Sequence, residues 1–88
     1  MRSEEIAALL EAGERDRALK ALDAALIRLH GSTGTRELCA LHRLAARCWE
    51  DDEDRAAFHL THALVYALEA GDEAARDLHA ALTARGRI

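Results

Sequence analysis

The sequence contains no proline, one lysine (Lys20) and only three aromatic residues, Trp49, Phe58 and Tyr66. Without proline, nothing forces a helix to break from within, and β-branched residues are too sparse to favour a sheet. The longest stretch free of Asp, Glu, Lys and Arg runs from Ala56 to Leu68 and contains His59, Thr61 and His62. It is too short to cross a bilayer, so no membrane association is expected. Met-Arg-Ser-Glu-Glu at the start is not an apolar leader. The expectation is therefore a cytoplasmic protein in which Cys39 and Cys48 are reduced thiols. Basic residues do not dominate: 12 stand against 16 acidic ones, for a net charge of −4, and the arginines are spread from Arg2 to Arg87. A nucleic-acid partner would call for a concentrated basic face. There is no serine in a nucleophile elbow and no glycine-rich phosphate loop after a strand, so the chain is expected to be neither an enzyme nor a holder of cofactors.

What is present is helical. Half of the 88 residues are apolar, and most of that mass is Ala and Leu, both strong helix formers. A chain of this length makes one domain with a modest stability margin. Ser3 is placed to cap a first helix, with Glu4 and Glu5 in its first turn and Gly13 as its stop. A second helix is expected from about Glu14 to His30, with Ala18, Leu22, Ala25, Leu26 and Leu29 as its apolar stripe. Gly31 to Gly34 reads as a loop. A third helix, capped by Thr33 or Thr35, carries Leu38, Leu41, Leu44, Ala45 and Cys48 and ends near Glu50. Asp51 or Asp52 caps a fourth, with Ala56, Leu60, Ala63, Leu64, Ala67 and Leu68, which Gly71 ends. A fifth starts at Asp72, holds Ala75, Leu78, Ala81 and Leu82, and frays from Arg85 to Ile88. Connections this short make sequential helices antiparallel neighbours. Cys39 and Cys48 then lie about 13–14 Å apart along one helix, too far for a disulfide.

An offset of 38 residues superimposes the first helix pair on the second. Ile6 falls on Leu44, Ala7 on Ala45 and Leu10 on Cys48. Ala18 falls on Ala56, Leu22 on Leu60, Ala25 on Ala63 and Leu26 on Leu64. Leu41, Leu44, Ala45 and Cys48, followed by Ala56, Leu60 and Ala63, resemble the tetratricopeptide repeat. The chain lacks that family's closing proline, holds Leu10 or Cys48 at its tyrosine position, and has a turn one residue shorter within each pair. The resemblance implies an all-α fold of about five antiparallel helices: repeat 1 over residues 3–30, repeat 2 over 35–70, and a capping helix over 72–85.

The same resemblance implies a non-enzymatic module for protein interaction. Its concave face would carry Cys39, His42, Arg43, Ala46, Trp49 and Glu50, with Glu4, Glu5, Ala8 and Glu11 from the first helix. Arg43 and Arg47 would pair a carboxylate of the partner, and Trp49 would either anchor it or pack against the helix turn or the adjoining loop. An acidic first helix beside an Arg/His/Trp third helix fits a protein or peptide of mixed charge. Phe58, Val65 and Tyr66 are expected either beneath the fifth helix or in a homo-oligomer contact.

The alternative is a metal- or redox-responsive regulator. Cys39 and His42, and likewise His59 and His62, lie three residues apart and so share a helix face. The resemblance opposes a joint site, because it turns Cys39 and His42 inward to the concave surface and His59 and His62 outward. The acidic run Glu50 to Asp54 lacks the ligand alternation and glycine of a calcium loop and reads as helix capping.

Overall fold

The computed structural model describes residues 2–29 and 34–88. The described residues form five α-helices and no strand: α1 (Ser3–Glu11), α2 (Arg15–Leu29), α3 (Thr35–Cys48), α4 (Glu53–Ala70) and α5 (Ala74–Ala84). The expected extension of α2 to His30, the loop over 31–33 and the cap by Thr33 lie outside the described residues. No helix among them is long and apolar enough to cross a membrane.

Local chemistry accounts for most boundaries. The pentapeptide Leu-Glu-Ala-Gly followed by an acid occurs twice and ends α1 and α4 in the same way. Gly13 and Gly71 take left-handed φ angles of 79° and 64°. The residue after each glycine donates its N–H back to the last turn, Glu14 to Leu9 at 2.9 Å and Asp72 to Ala67 at 2.8 Å. That satisfies carbonyls which the helix end would otherwise leave open. Asp52 caps α4 as expected, its side chain accepting the Arg55 N–H at 3.2 Å. Other caps differ from the sequence reading. Thr35 is the first residue of α3 rather than its cap, and Gly34 precedes it. Ser3 lies inside α1, and its N–H and hydroxyl both donate to the Glu37 carboxylate, at 3.2 and 2.9 Å. An anion is thereby held at the positive end of α1 and tied to α3.

The α3 helix is central: it packs against α1, α2 and α4, while α5 packs against α4. One core lobe joins Ile6, Ala18, Leu22, Leu41 and Cys48 between α1, α2 and α3. The other joins Cys39, Ala63, Ala67 and Leu78 between α3, α4 and α5. Ile6, Leu22, Leu41, Leu78 and Leu82 are the largest fully buried side chains. Burial of each contributes about 1.5–3 kcal/mol against the entropy of ordering the chain. Alanines at Ala56, Ala57, Ala63 and Ala67 form the buried side of α4 and let its backbone approach its neighbours. The extents of 31 × 30 × 18 Å describe a slab. Clefts run between α1 and α3 and between α3 and α5, which places these three helices on one broad side. The α2 and α4 starts, Arg15 and Glu53, stand at the same offset as the apolar repeat.

The C-terminal residues do not fray as expected. Gly86 repeats the left-handed stop, Arg85 pairs with Glu53 at 2.7 Å and Arg87 with Asp54 at 2.6 Å. Both pairs stand in solvent, where screening keeps their contribution small. They occupy two carboxylates of the acidic run, as Asp52 is occupied in its cap.

Candidate functional site

The exposed edge of α3 is narrow because the helix is buried along two sides. Leu38, Leu41, Ala45 and Cys48 are buried, as are Cys39, His42 and Ala46. What remains for solvent is the strip containing Arg36, Ala40, Arg43, Arg47 and Glu50. Arg43 and Arg47, one turn apart, both line a cleft of about 400 Å3 against α1, together with Ser3, Glu4, Ala7, Ala40 and Leu44. Both also line a cleft of about 270 Å3 on the other side, against Asp77, Leu78 and Ala81 of α5 and Arg85 just after it. Each cleft has an apolar floor and charged rims: Glu4 on the α1 side, Asp77 on the α5 side, Glu50 at the end of α3. Neither arginine makes an ion pair or a side-chain hydrogen bond among the described residues.

Of the residues expected on this face, Arg43 and Glu50 are exposed and Glu4 lines the α1 cleft. Glu5 and Glu11 are exposed but line neither cleft, and the Glu5 carboxylate accepts the Arg2 N–H at 3.0 Å. Ala46 is buried, yet it contributes to the floor beside α5. Cys39 is buried against Ala63, Ala67 and Leu78. Trp49 is half-buried, with the Arg15 guanidinium 4.5 Å from its ring centroid and that of Arg55 at 4.3 Å. Arg15 is held in turn by the Cys48 carbonyl, 2.8 Å from its Nε. The tryptophan therefore joins α2, α3 and α4 by packing. Sequence reasoning did not find Arg15, Arg55 or the α5 wall; only the three-dimensional packing brings them to α3.

The histidines require a correction. His42 was expected to point away from His59 and His62, and instead it meets both. Its Nδ1 lies 3.1 Å from His59 Nδ1, and its ring centroid is 5.1 Å from that of His62. Tyr66 stacks on the same ring at 5.7 Å. The reason is rotational: the α3–α4 contact is centred so that His42, only 8% exposed, enters it, instead of facing the open side. One imidazole of the Nδ1 pair must donate and the other accept, so one proton lies between the two Nδ1 atoms and the accepting ring carries its own on Nε2. His62 Nδ1 donates to the Phe58 carbonyl at 3.0 Å. Burial first, then the neighbouring His59 and His62, lowers the His42 pKa to about 4. Burial is also the main cause holding His59 below its ordinary value.

Cys39 belongs to the core lobe between α3, α4 and α5 and not to this imidazole cluster. No group of three or more His, Cys, Asp or Glu side chains among the described residues is arranged to hold a metal ion. Both thiols are buried and pushed up from their ordinary values, mainly by that burial. Such thiols are poor nucleophiles and behave as small core residues. Comparison with protein families, curated proteins and solved structures yielded no match.

Proposed function

We propose that this chain is a non-enzymatic interaction module that holds a segment of a protein partner along its α1–α3–α5 face, as tetratricopeptide-like helical hairpins do. The observation that carries the reading is the placement of Arg43 and Arg47. Two exposed guanidinium groups with no ion pair or side-chain hydrogen bond among the described residues stand between two clefts with apolar floors. A guanidinium presents a planar fork that matches a carboxylate, so these side chains suit Asp or Glu of a bound segment. Glu4, Glu50 and Asp77 along the rims suit basic residues flanking them. The partner is thus a peptide or helix of mixed charge with small apolar side chains facing the clefts. The common offset of the two helix pairs, in apolar pattern and in the starts of α2 and α4, supports the repeat-like reading.

The test is a peptide-display selection against the whole chain, followed by NMR titration of the selected peptides. Enriched peptides are expected to carry paired acidic residues and to shift amides of α1, α3 and α5. Arg43→Glu with Arg47→Glu is expected to weaken them by about 2–4 kcal/mol without unfolding the protein, since both side chains are exposed. Selection that yields nothing, or peptides that bind equally well to the double variant, would reject the groove.

A further inference from the structure

The outer side of α4 carries exposed apolar side chains that a solvated helix face does not need, flanked by His62, which also reaches His42, and Arg55, which also lies on Trp49. Arg55, Phe58, His62, Val65 and Glu69 follow one another at alternating three- and four-residue steps, so they form a single stripe. Phe58 is 56% exposed and Val65 48%, and Leu68 beside them is 64% exposed. None of them lies beneath α5. Phe58 leans on His62, with ring centroids 4.3 Å apart. The same face has a cleft of about 240 Å3, lined by Thr61, His62, Val65, Tyr66 and Glu69.

The stripe is self-complementary when reversed. His62 lies seven residues from Arg55 on one side and seven from Glu69 on the other. Each end is about 10.5 Å away along the helix axis. Phe58 precedes His62 by four residues, while Val65 and Tyr66 follow it by three and four. A two-fold axis through His62 therefore sets each Phe58 over the cleft beside Val65 and Tyr66 of the other copy. It also sets each Arg55 opposite the other copy's Glu69. Glu69 has no ion-pair partner among the described residues of its own chain, and Arg55 is 58% exposed although it also pairs with Asp52 at 3.5 Å and lies 4.3 Å from the Trp49 ring centroid. Base, apolar, centre, apolar, acid is the pattern that an isologous contact satisfies twice.

We infer that the protein forms a homodimer by antiparallel packing of α4 on α4 about His62, with Phe58 of each copy seated in the other's cleft. One helix–helix contact is at the small end of specific interfaces, so association on the order of 10–100 µM is expected. This face is distinct from the α1–α3–α5 clefts, and the dimer stands or falls without them.

Sedimentation equilibrium on the whole chain, from about 1 to 500 µM, spans that range. The mass is expected to rise from 9.7 kDa towards twice that value. Val65→Glu, at an exposed position, is expected to weaken association at least about tenfold, and Glu69→Arg to do so as well. The charge-swapped pair Arg55→Glu with Glu69→Arg is expected to recover most of the loss, because the two ends meet only in the antiparallel register. Circular dichroism of each variant separates lost association from lost folding. A mass that stays at the monomer value throughout overturns the dimer, as does association indifferent to Val65→Glu. A double swap no better than Glu69→Arg alone overturns the register.

Discussion

His42 is where a single residue most affects the behaviour of this fold. It is neutral and buried at neutral pH, with its Nδ1 against that of His59. Groups facing the pair include His62 and Tyr66 from α4, and Arg55 and Asp23 exert opposing fields on His59. Its folded pKa of about 4 lies below the ordinary 6.5, so the unfolded chain binds the proton first. The native state therefore has its full advantage above pH 6.5 and loses it as the pH falls towards 4. One such proton gives about 1.4 kcal/mol per pH unit, so urea denaturation should show a loss of about 1–2 kcal/mol between pH 6.5 and 5. His59, shifted in the same direction, adds to the slope. This window lies largely above the carboxylate range, so His42→Gln should flatten it. A wild-type profile already flat from pH 7 to 5 would show that the imidazoles are not coupled to folding.

At the scale of elements, the two helix stops behave as one device used twice. Gly13 and Gly71 have open space where a Cβ would go, so only backbone conformation opposes a side chain there. Gly13→Ala and Gly71→Ala are each expected to cost about 1–2 kcal/mol, measured by chemical denaturation, with nothing contributed by a clash. The pentapeptide made both stops legible in the sequence, as the Asp-rich run made the α4 cap legible. Ser3 shows the limit. A serine before a helical segment is a good cap by composition, but Glu37, distant in sequence, takes its hydroxyl and N–H instead. A local signal has no access to a partner that only tertiary packing supplies.

For the whole molecule, α3 is the shared element, since both core lobes rest on it. A chain of 88 residues has about 4–13 kcal/mol of stability to lose. Leu41 is fully buried in the centre, and Leu41→Ala is expected to cost about 2–5 kcal/mol. Because α3 serves both lobes, that loss should appear in one cooperative transition, with α1 and α5 melting together by site-resolved hydrogen exchange. Two separated transitions would mean that the lobes fold independently.

The linear chain already determined the all-α class, the order of the five helices, their glycine stops and the offset between the two pairs. These follow from composition, short-range hydrogen bonding and apolar period, which act within a few residues. The repeat resemblance named Arg43 and Glu50 for the concave face, but together with Cys39, His42, Ala46 and Trp49, and it named Arg47 only beside Arg43 as a carboxylate partner. The linear chain did not determine which face of α3 the neighbours would cover. A helix with apolar or small residues on two sides admits more than one rotation. Only the close approach of alanine-rich α4 turned Cys39, His42 and Ala46 inward and left the arginine strip in solvent. The same rotation joined His42 to His59 and left the Phe58–Val65 stripe facing outward. Packing between helices, summed over many long-range contacts, made those choices.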